Sequence, residues 1–172
     1  QGGRMRRLGQ ALIVLLAASA HGADLQWLPF DEAYSQAISE GKPLLVDFYT
    51  DWCHWCKVMD AKTFGDPEVA KTLAGDFVLC RIHAEDGKAS LRYRDATYSN
   101  VQFTQAMGVR GFPSVAFFDK EGNAVTVVPG YIEAQTFIYM LSYVRDGCYA
   151  RQMSFQEFMR RKGECDEEGA KD

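Results

Sequence analysis

Two cysteines separated by two residues, directly behind a continuous apolar run, constrain this 172-residue chain more than any other feature in it. The run Leu44-Leu45-Val46-Asp47-Phe48-Tyr49 is too continuous in apolar residues for a half-exposed strand and predicts a central strand buried on both faces. Trp52-Cys53-His54-Trp55-Cys56-Lys57 follows it and opens a segment with helical spacing, expected to reach about Lys62. The pair therefore falls where a strand turns into a helix. A thiol there faces unpaired backbone N–H groups and the positive end of the helix dipole, both of which favour thiolate over thiol. At this spacing one cysteine can attack a partner's disulfide and the other can then displace it. Asp47 is the anomaly in the strand. By alternation it faces solvent; in a strand buried on both faces it is an acid with a raised pKa, and the residues alone leave both readings open.

The first twenty residues read as an address rather than structure. Arg4, Arg6 and Arg7 form a basic region, Ala11 to Ala18 a short apolar one, and Ala18-Ser19-Ala20 a small-x-small site, so a secretory signal cut after Ala20 is expected. Its apolar run is about half of the roughly 20 residues a membrane span needs, which weakens the alternative of an uncleaved anchor. Without those three arginines, 16 basic residues face 23 acidic ones and the net charge falls from −4 to near −7. A nucleic-acid partner would want a basic face, so none is expected.

Export also changes how the five cysteines are read. In an oxidising compartment a Cys-x-x-Cys is a working redox pair and spare cysteines pair structurally. The count is odd, so at least one thiol is left over within the chain. Cys80 lies in an apolar strand and reads as a small buried hydrophobe. Cys148 and Cys165 flank a tail helix and would most economically bond to each other. A structural zinc site would need a second close pair, which is missing; a copper- or haem-handling role for Cys53 and Cys56 is the alternative metal reading, and the expectation is no metal and no cofactor.

Along the chain, Asp31 to Glu40 predicts a helix with Asp31 as N-cap, Ala33, Tyr34, Ala37 and Ile38 on its inner face, and Gly41 just past its end. Asp66-Pro67 starts another, with Val69, Ala70 and Leu73 inward. Phe77 to Ile82 is a second apolar strand. The polar stretch His83 to Tyr98 shows neither period and is expected to be a functional loop or to hold a short helix. A short helix over Val101 to Met107 ends at Gly108. Val115 to Phe118, a turn at Asp119 to Asn123, and Ala124 to Val128 form a hairpin. Ala134 to Arg145 carries Phe137, Ile138, Leu141 and Val144 at helical spacing, and Ser154-Phe155-Gln156-Glu157 is a capping box opening a small helix to about Lys162. The order predicts an α/β layer sandwich with a mixed sheet. Residues 1–20 are then the signal, 21–146 one domain, and 147–172 a C-terminal extension with a short helix.

From about Gly41 to Val144 the sequence resembles the thioredoxins. Leu45-Val46-Asp47-Phe48-Tyr49-x-x-Trp52-Cys53-x-x-Cys56-Lys57 matches that family's strand and active-site turn, Val109-Arg110-Gly111-Phe112-Pro113 matches its cis-proline loop, and Gly130 stands where it has a glycine after the last strand. The resemblance implies a thioredoxin fold, a central mixed β-sheet flanked by helices, here with a C-terminal helical extension. It also implies Cys53 as the attacking thiol, Cys56 as the resolving one, Asp47 as a buried acid beneath them and Pro113 facing the disulfide. The peptide group at Phe112 would bind an extended client strand, bordered by Trp52, His54 and Trp55.

A signal joined to Trp-Cys-x-x-Cys-Lys is similar to the thioredoxin-like proteins of the bacterial envelope. The expectation is thus a monomeric periplasmic thiol–disulfide oxidoreductase, a reductase of protein disulfides supplied with electrons by a membrane or envelope redox partner. His54-Trp55 departs from the Gly-Pro common in reducing members. A histidine there adds positive charge near Cys53, which makes the disulfide more oxidising. An oxidase or isomerase, or a non-enzymatic module that binds a metal or a client, are the alternatives.

Overall fold

The computed structural model describes residues 25–165, so the expected signal and the chain beyond Cys165 lie outside the described residues. In chain order the elements are β1 (Trp27–Leu28), α1 (Phe30–Glu40), β2 (Leu44–Tyr49), α2 (His54–Met59) running into a π-helical turn (Asp60–Phe64), α3 (Pro67–Asp76) and β3 (Val78–His83). Then come β4 (Ser90–Tyr93), β5 (Ala96–Ser99), α4 (Asn100–Ala106), β6 (Ser114–Phe118), β7 (Ala124–Pro129), α5 (Ala134–Arg145), a 3-10 turn (Cys148–Arg151) and α6 (Phe155–Arg160).

β2 is central because nearly every residue in it is buried. The five-stranded sheet runs β1-β3-β2-β6-β7. β2 is parallel to β3 and antiparallel to β6, so the sheet is mixed. Alternation sends Val46 and Phe48 to a core built with Phe30, Ala33 and Ala37 of α1 and Phe103 of α4. Leu45 goes to the opposite core with Met59 and Phe64, Val69 and Leu73 of α3, and Phe137 and Leu141 of α5. Helices thus cover both faces of one sheet, the layered α/β arrangement that the element order implies.

Four local expectations are corrected. Pro29, not Asp31, occupies the N-cap of α1, and Asp31 accepts a hydrogen bond from the Arg92 N–H at 2.7 Å. Phe30, Ala33 and Ala37 form the inner stripe, which leaves Ile38 exposed. The helix after Cys56 does not stay α-helical to Lys62. Met59, Thr63 and Phe64 are all buried, and a π turn brings residues at i, i+4 and i+5 to one side. His83 to Tyr98 is neither an open loop nor a helix but mostly the hairpin of β4 and β5, whose Leu91, Tyr93 and Tyr98 pack on the α1 side of the core. α4 starts at Asn100, where Ser99 and Gln102 form a complete capping box.

At the C-terminus, Ser154 accepts a hydrogen bond from the Glu157 N–H and opens α6, which ends at Arg160. Phe158 is buried against Tyr139 and Tyr143 of α5, and the sulfurs of Cys148 and Cys165 are bonded. No helix among the described residues is long and apolar enough to cross a membrane.

Candidate active site

Where β2 leaves the sheet, the chain turns through Thr50 to Trp52, and the Cys53 N–H donates to the Thr50 carbonyl at 3.2 Å. Cys53 is the N-cap of α2. Its Sγ accepts the Cys56 N–H at 3.0 Å and is bonded to Cys56 Sγ, with the two Cα atoms 5.3 Å apart. The disulfide lies low: Cys53 is 3% exposed and Cys56 6%, while Trp52 at 66% and Trp55 at 54% stand above it. The Trp52 indole N–H donates to Glu85 Oε2 at 3.0 Å, and its ring meets Phe112 edge-on with centroids 6.0 Å apart. Trp55 lies 5.5 Å from the Tyr131 ring on one side and 5.8 Å from the exposed His54 on the other.

Antiparallel pairing of Phe48 with Ser114 brings the start of β6 to the end of β2 that carries the cysteines. Pro113, just ahead of Ser114, is therefore at the same end of the sheet, and the Phe112–Pro113 peptide bond is cis. The Pro113 carbonyl accepts the Gly130 N–H at 2.8 Å, and Gly130 adopts a φ of +88°, a conformation favourable to glycine.

Asp47 is buried, at 2% exposure, which decides between the two readings that the strand pattern left open. It lies on the sheet face shared by Leu45 and Met59, the side on which α2 and its π turn pack. Parallel register sets it opposite Arg81 of β3, whose Nε donates to Asp47 Oδ2 at 3.0 Å. A second arm of that guanidinium, Nη2, reaches Asp60 Oδ1 on the π turn. Its plane also lies over the Trp27 ring, 4.2 Å from the centroid. Asp47 Oδ1 is buried without a hydrogen-bond partner. Burial pushes the Asp47 pKa up to about 7; Arg81 opposes the rise, and the Asp60 charge adds to it.

Residues 30–145 match the family description of a thioredoxin-like domain. The chain belongs to the thioredoxin-like family. It is 36% identical over 110 residues to the thiol:disulfide interchange protein DsbD of Citrobacter koseri, covering 62% of this chain and 18% of that protein. The Escherichia coli protein of that name is 36% identical over 107 residues, covering 60% and 17%. The chain thus spans under a fifth of the length of these relatives. The crystal structure of the reduced C-terminal domain of Neisseria meningitidis DsbD superposes with a TM-score of 0.51 at 26% identity, covering 66% of this chain and 91% of that one. A thioredoxin from Thermus thermophilus gives a TM-score of 0.56 at 24% identity, over 72% and 87%, and supports the fold. Family and Cys53–Cys56 pair together make this a thiol–disulfide oxidoreductase in class.

Several partners in the site have no signature in the linear sequence. Arg81 and Asp60 are a charge in an apolar strand and one of many helix acids until the fold brings them to Asp47. Glu85 and Tyr131 hold the two tryptophans. His83 has its Nε2 3.3 Å from Asp51 Oδ2 and its ring against Tyr49, linking the end of β3 to the turn before Trp52. Cys80 is a free, buried thiol whose pKa is raised by burial, with a further push from Asp47. Among the described residues no group of three or more His, Cys, Asp or Glu side chains is placed to hold a metal ion.

Proposed function

We propose that this protein is a periplasmic reductase of protein disulfides. Cys53 is the nucleophile, Cys56 resolves the mixed disulfide, and Asp47 takes the Cys56 proton. The observation that carries the reading is the N-cap geometry. The Cys56 N–H already points at Cys53 Sγ from 3.0 Å, so a thiolate formed there keeps a hydrogen bond and sits at a helix N-terminus. The acid with a free oxygen on the α2 side of the sheet supplies the second requirement. Trp52, His54, Trp55, Phe112 and the cis peptide at Pro113 border the approach to the pair and suit an extended client strand.

Similarity to DsbD, named as a thiol:disulfide interchange protein, supports both the reaction and an electron supply from a membrane or envelope partner. The domain would be residues 21–146, released by a cut after Ala20, working as a monomer with 147–172 as its extension. The wild type should reduce insulin, and Cys53→Ser should abolish turnover. Full biological activity in both Cys53→Ser and Cys56→Ser would end the redox reading.

His54 at the first position of α2 favours the second reading, an oxidase or isomerase. The reduction potential of the pair, titrated against glutathione, separates them. A value near thioredoxin's, about −270 mV, marks a reductase, and one above about −200 mV marks the other direction.

A further inference from the structure

The turn that carries the chain from β2 to Cys53 holds a buried hydroxyl with no partner. Thr50 is 2% exposed, and its Oγ1 meets no donor or acceptor, although its carbonyl accepts the Cys53 N–H at 3.2 Å. That bond closes Thr50 to Cys53 into a four-residue turn, whose first and last Cα atoms lie within about 7 Å of each other. The other side chains of the turn are held: Asp51 lies beside His83, Trp52 donates to Glu85, and Cys53 Sγ accepts the Cys56 N–H. A buried hydroxyl left unpaired costs stability that a valine of the same shape would not. Such a group implies a partner in another state of the protein.

The state without a partner is the disulfide form, in which Cys53 Sγ is bonded to Cys56 and carries no charge. A dithiol that reduces this bond is itself closed to a disulfide. Its two electrons pass to the chain's sulfurs, and of its two protons one ends on Cys56 and one in solvent, so Cys53 is left as a thiolate. We propose that the Thr50 hydroxyl is a second donor to the Cys53 thiolate, idle in the disulfide form and engaged after reduction. The Cys56 N–H, 3.0 Å from Cys53 Sγ, is the first. The movement required is a rotation of the threonine side chain between staggered positions and of its O–H about the C–O bond.

Alternation places Thr50 on the sheet face of Val46 and Phe48, the face on which Phe112 packs, and the pairing of Phe48 with Ser114 carried one step further sets Thr50 opposite Phe112. Asp47 lies on the other face. The charged and titratable groups on the surrounding elements are His54 and Lys57 on α2, Asp51 in the turn, Asp47 on β2, Glu85 after β3 and Arg110 ahead of Pro113. A substitution at Thr50 leaves the charge of each of them in place.

The test is the pH dependence of Cys53 alkylation by iodoacetamide in the reduced chain, read by peptide mass. Thr50→Val keeps the shape and removes the hydroxyl, so the midpoint should rise by about one pH unit, the tenfold effect of a hydrogen bond to a charged group. Measured above both midpoints, the equilibrium with glutathione should move about tenfold towards the disulfide, or about 30 mV. Thr50→Ser keeps the hydroxyl and loses the methyl group, and should stay near the wild type in both readings. A packing role predicts the reverse order, with Thr50→Val like the wild type and Thr50→Ser disturbed. A wild-type midpoint in Thr50→Val, or an equal rise in the two variants, overturns the proposal. The inference rests on Cys53 as the nucleophile. If the wild type is alkylated first at Cys56, that assignment falls and the donor falls with it; if Cys53 reacts first and Thr50→Val leaves its midpoint in place, only the donor is wrong.

Discussion

Asp47 holds its proton in the folded protein up to a pH of about 7, whereas the ordinary aspartate value is 3.8. Between those values the native state binds more protons than the unfolded chain. Stability therefore falls as pH rises from about 4 to about 7, and the penalty is constant above that window. Three pKa units correspond to about 4 kcal/mol at most. Asp47→Asn keeps a neutral acceptor for Arg81, so it should be more stable than wild type by about 2–4 kcal/mol at pH 8 and nearly equal at pH 4. Urea unfolding at the two pH values checks this, and a difference that does not change with pH would rule it out.

Cys80 gives a second prediction at this scale. Its thiol is enclosed and its pKa raised, so the native reduced protein should leave it unmodified by a maleimide that blocks Cys53 within minutes, and only denaturant should expose it. Labelling of Cys80 in the folded state is the contrary result. The cysteine pair was legible in the residues themselves, whereas the burial of Asp47 and the cis bond before Pro113 followed only from the resemblance to the thioredoxins. Arg81 was not legible, because what defines it is a partner 34 residues away.

Among elements, those with a strong period were readable and those defined by a turn or a helix irregularity were not. β2 and α5 announce themselves by burial pattern. The β4–β5 hairpin does not, since its two-residue turn places Arg94, not glycine or asparagine, at a φ of +54°, and its strands are only four residues long. The π turn is equally silent, although it is the element that delivers Asp60 to Arg81. Thr63 anchors it: its hydroxyl donates to the Ile132 carbonyl at 2.5 Å, tying the turn to the segment before α5. Thr63→Val keeps the shape but leaves that carbonyl unpaired in a buried place, at a cost of about 1–3 kcal/mol. If the turn relaxes to a regular α-helix, Asp60 also leaves Arg81. Urea unfolding of the variant beside the wild type checks this cost, and an unchanged stability would show that the turn does not need this anchor.

At the scale of the molecule, the active-site end and the tail end of the chain are separated by the length of α5. The segment before that helix carries Tyr131, which packs on Trp55, and the far end leads into Cys148. Twelve residues at about 1.5 Å rise put roughly 18 Å between them. The extension packs on Tyr143 of α5 through Tyr149, Phe155 and Phe158, and the Cys148–Cys165 bond ties its far end back to the residues that follow α5. Closing a loop of 17 residues removes chain entropy from the unfolded state worth about 3 kcal/mol. Cys165→Ser should lower stability by roughly that amount, about 2–3 kcal/mol. It should leave the reduction potential of Cys53–Cys56 unchanged, because the tail's rings at Tyr149, Phe155 and Phe158 pack on Tyr139 and Tyr143 of α5, not on the two tryptophans. Thermal melts and a glutathione titration on the same sample separate the two effects. A shift in potential would mean that the extension acts on the redox site through α5, and that the tail is part of the catalytic unit rather than a brace on its far side.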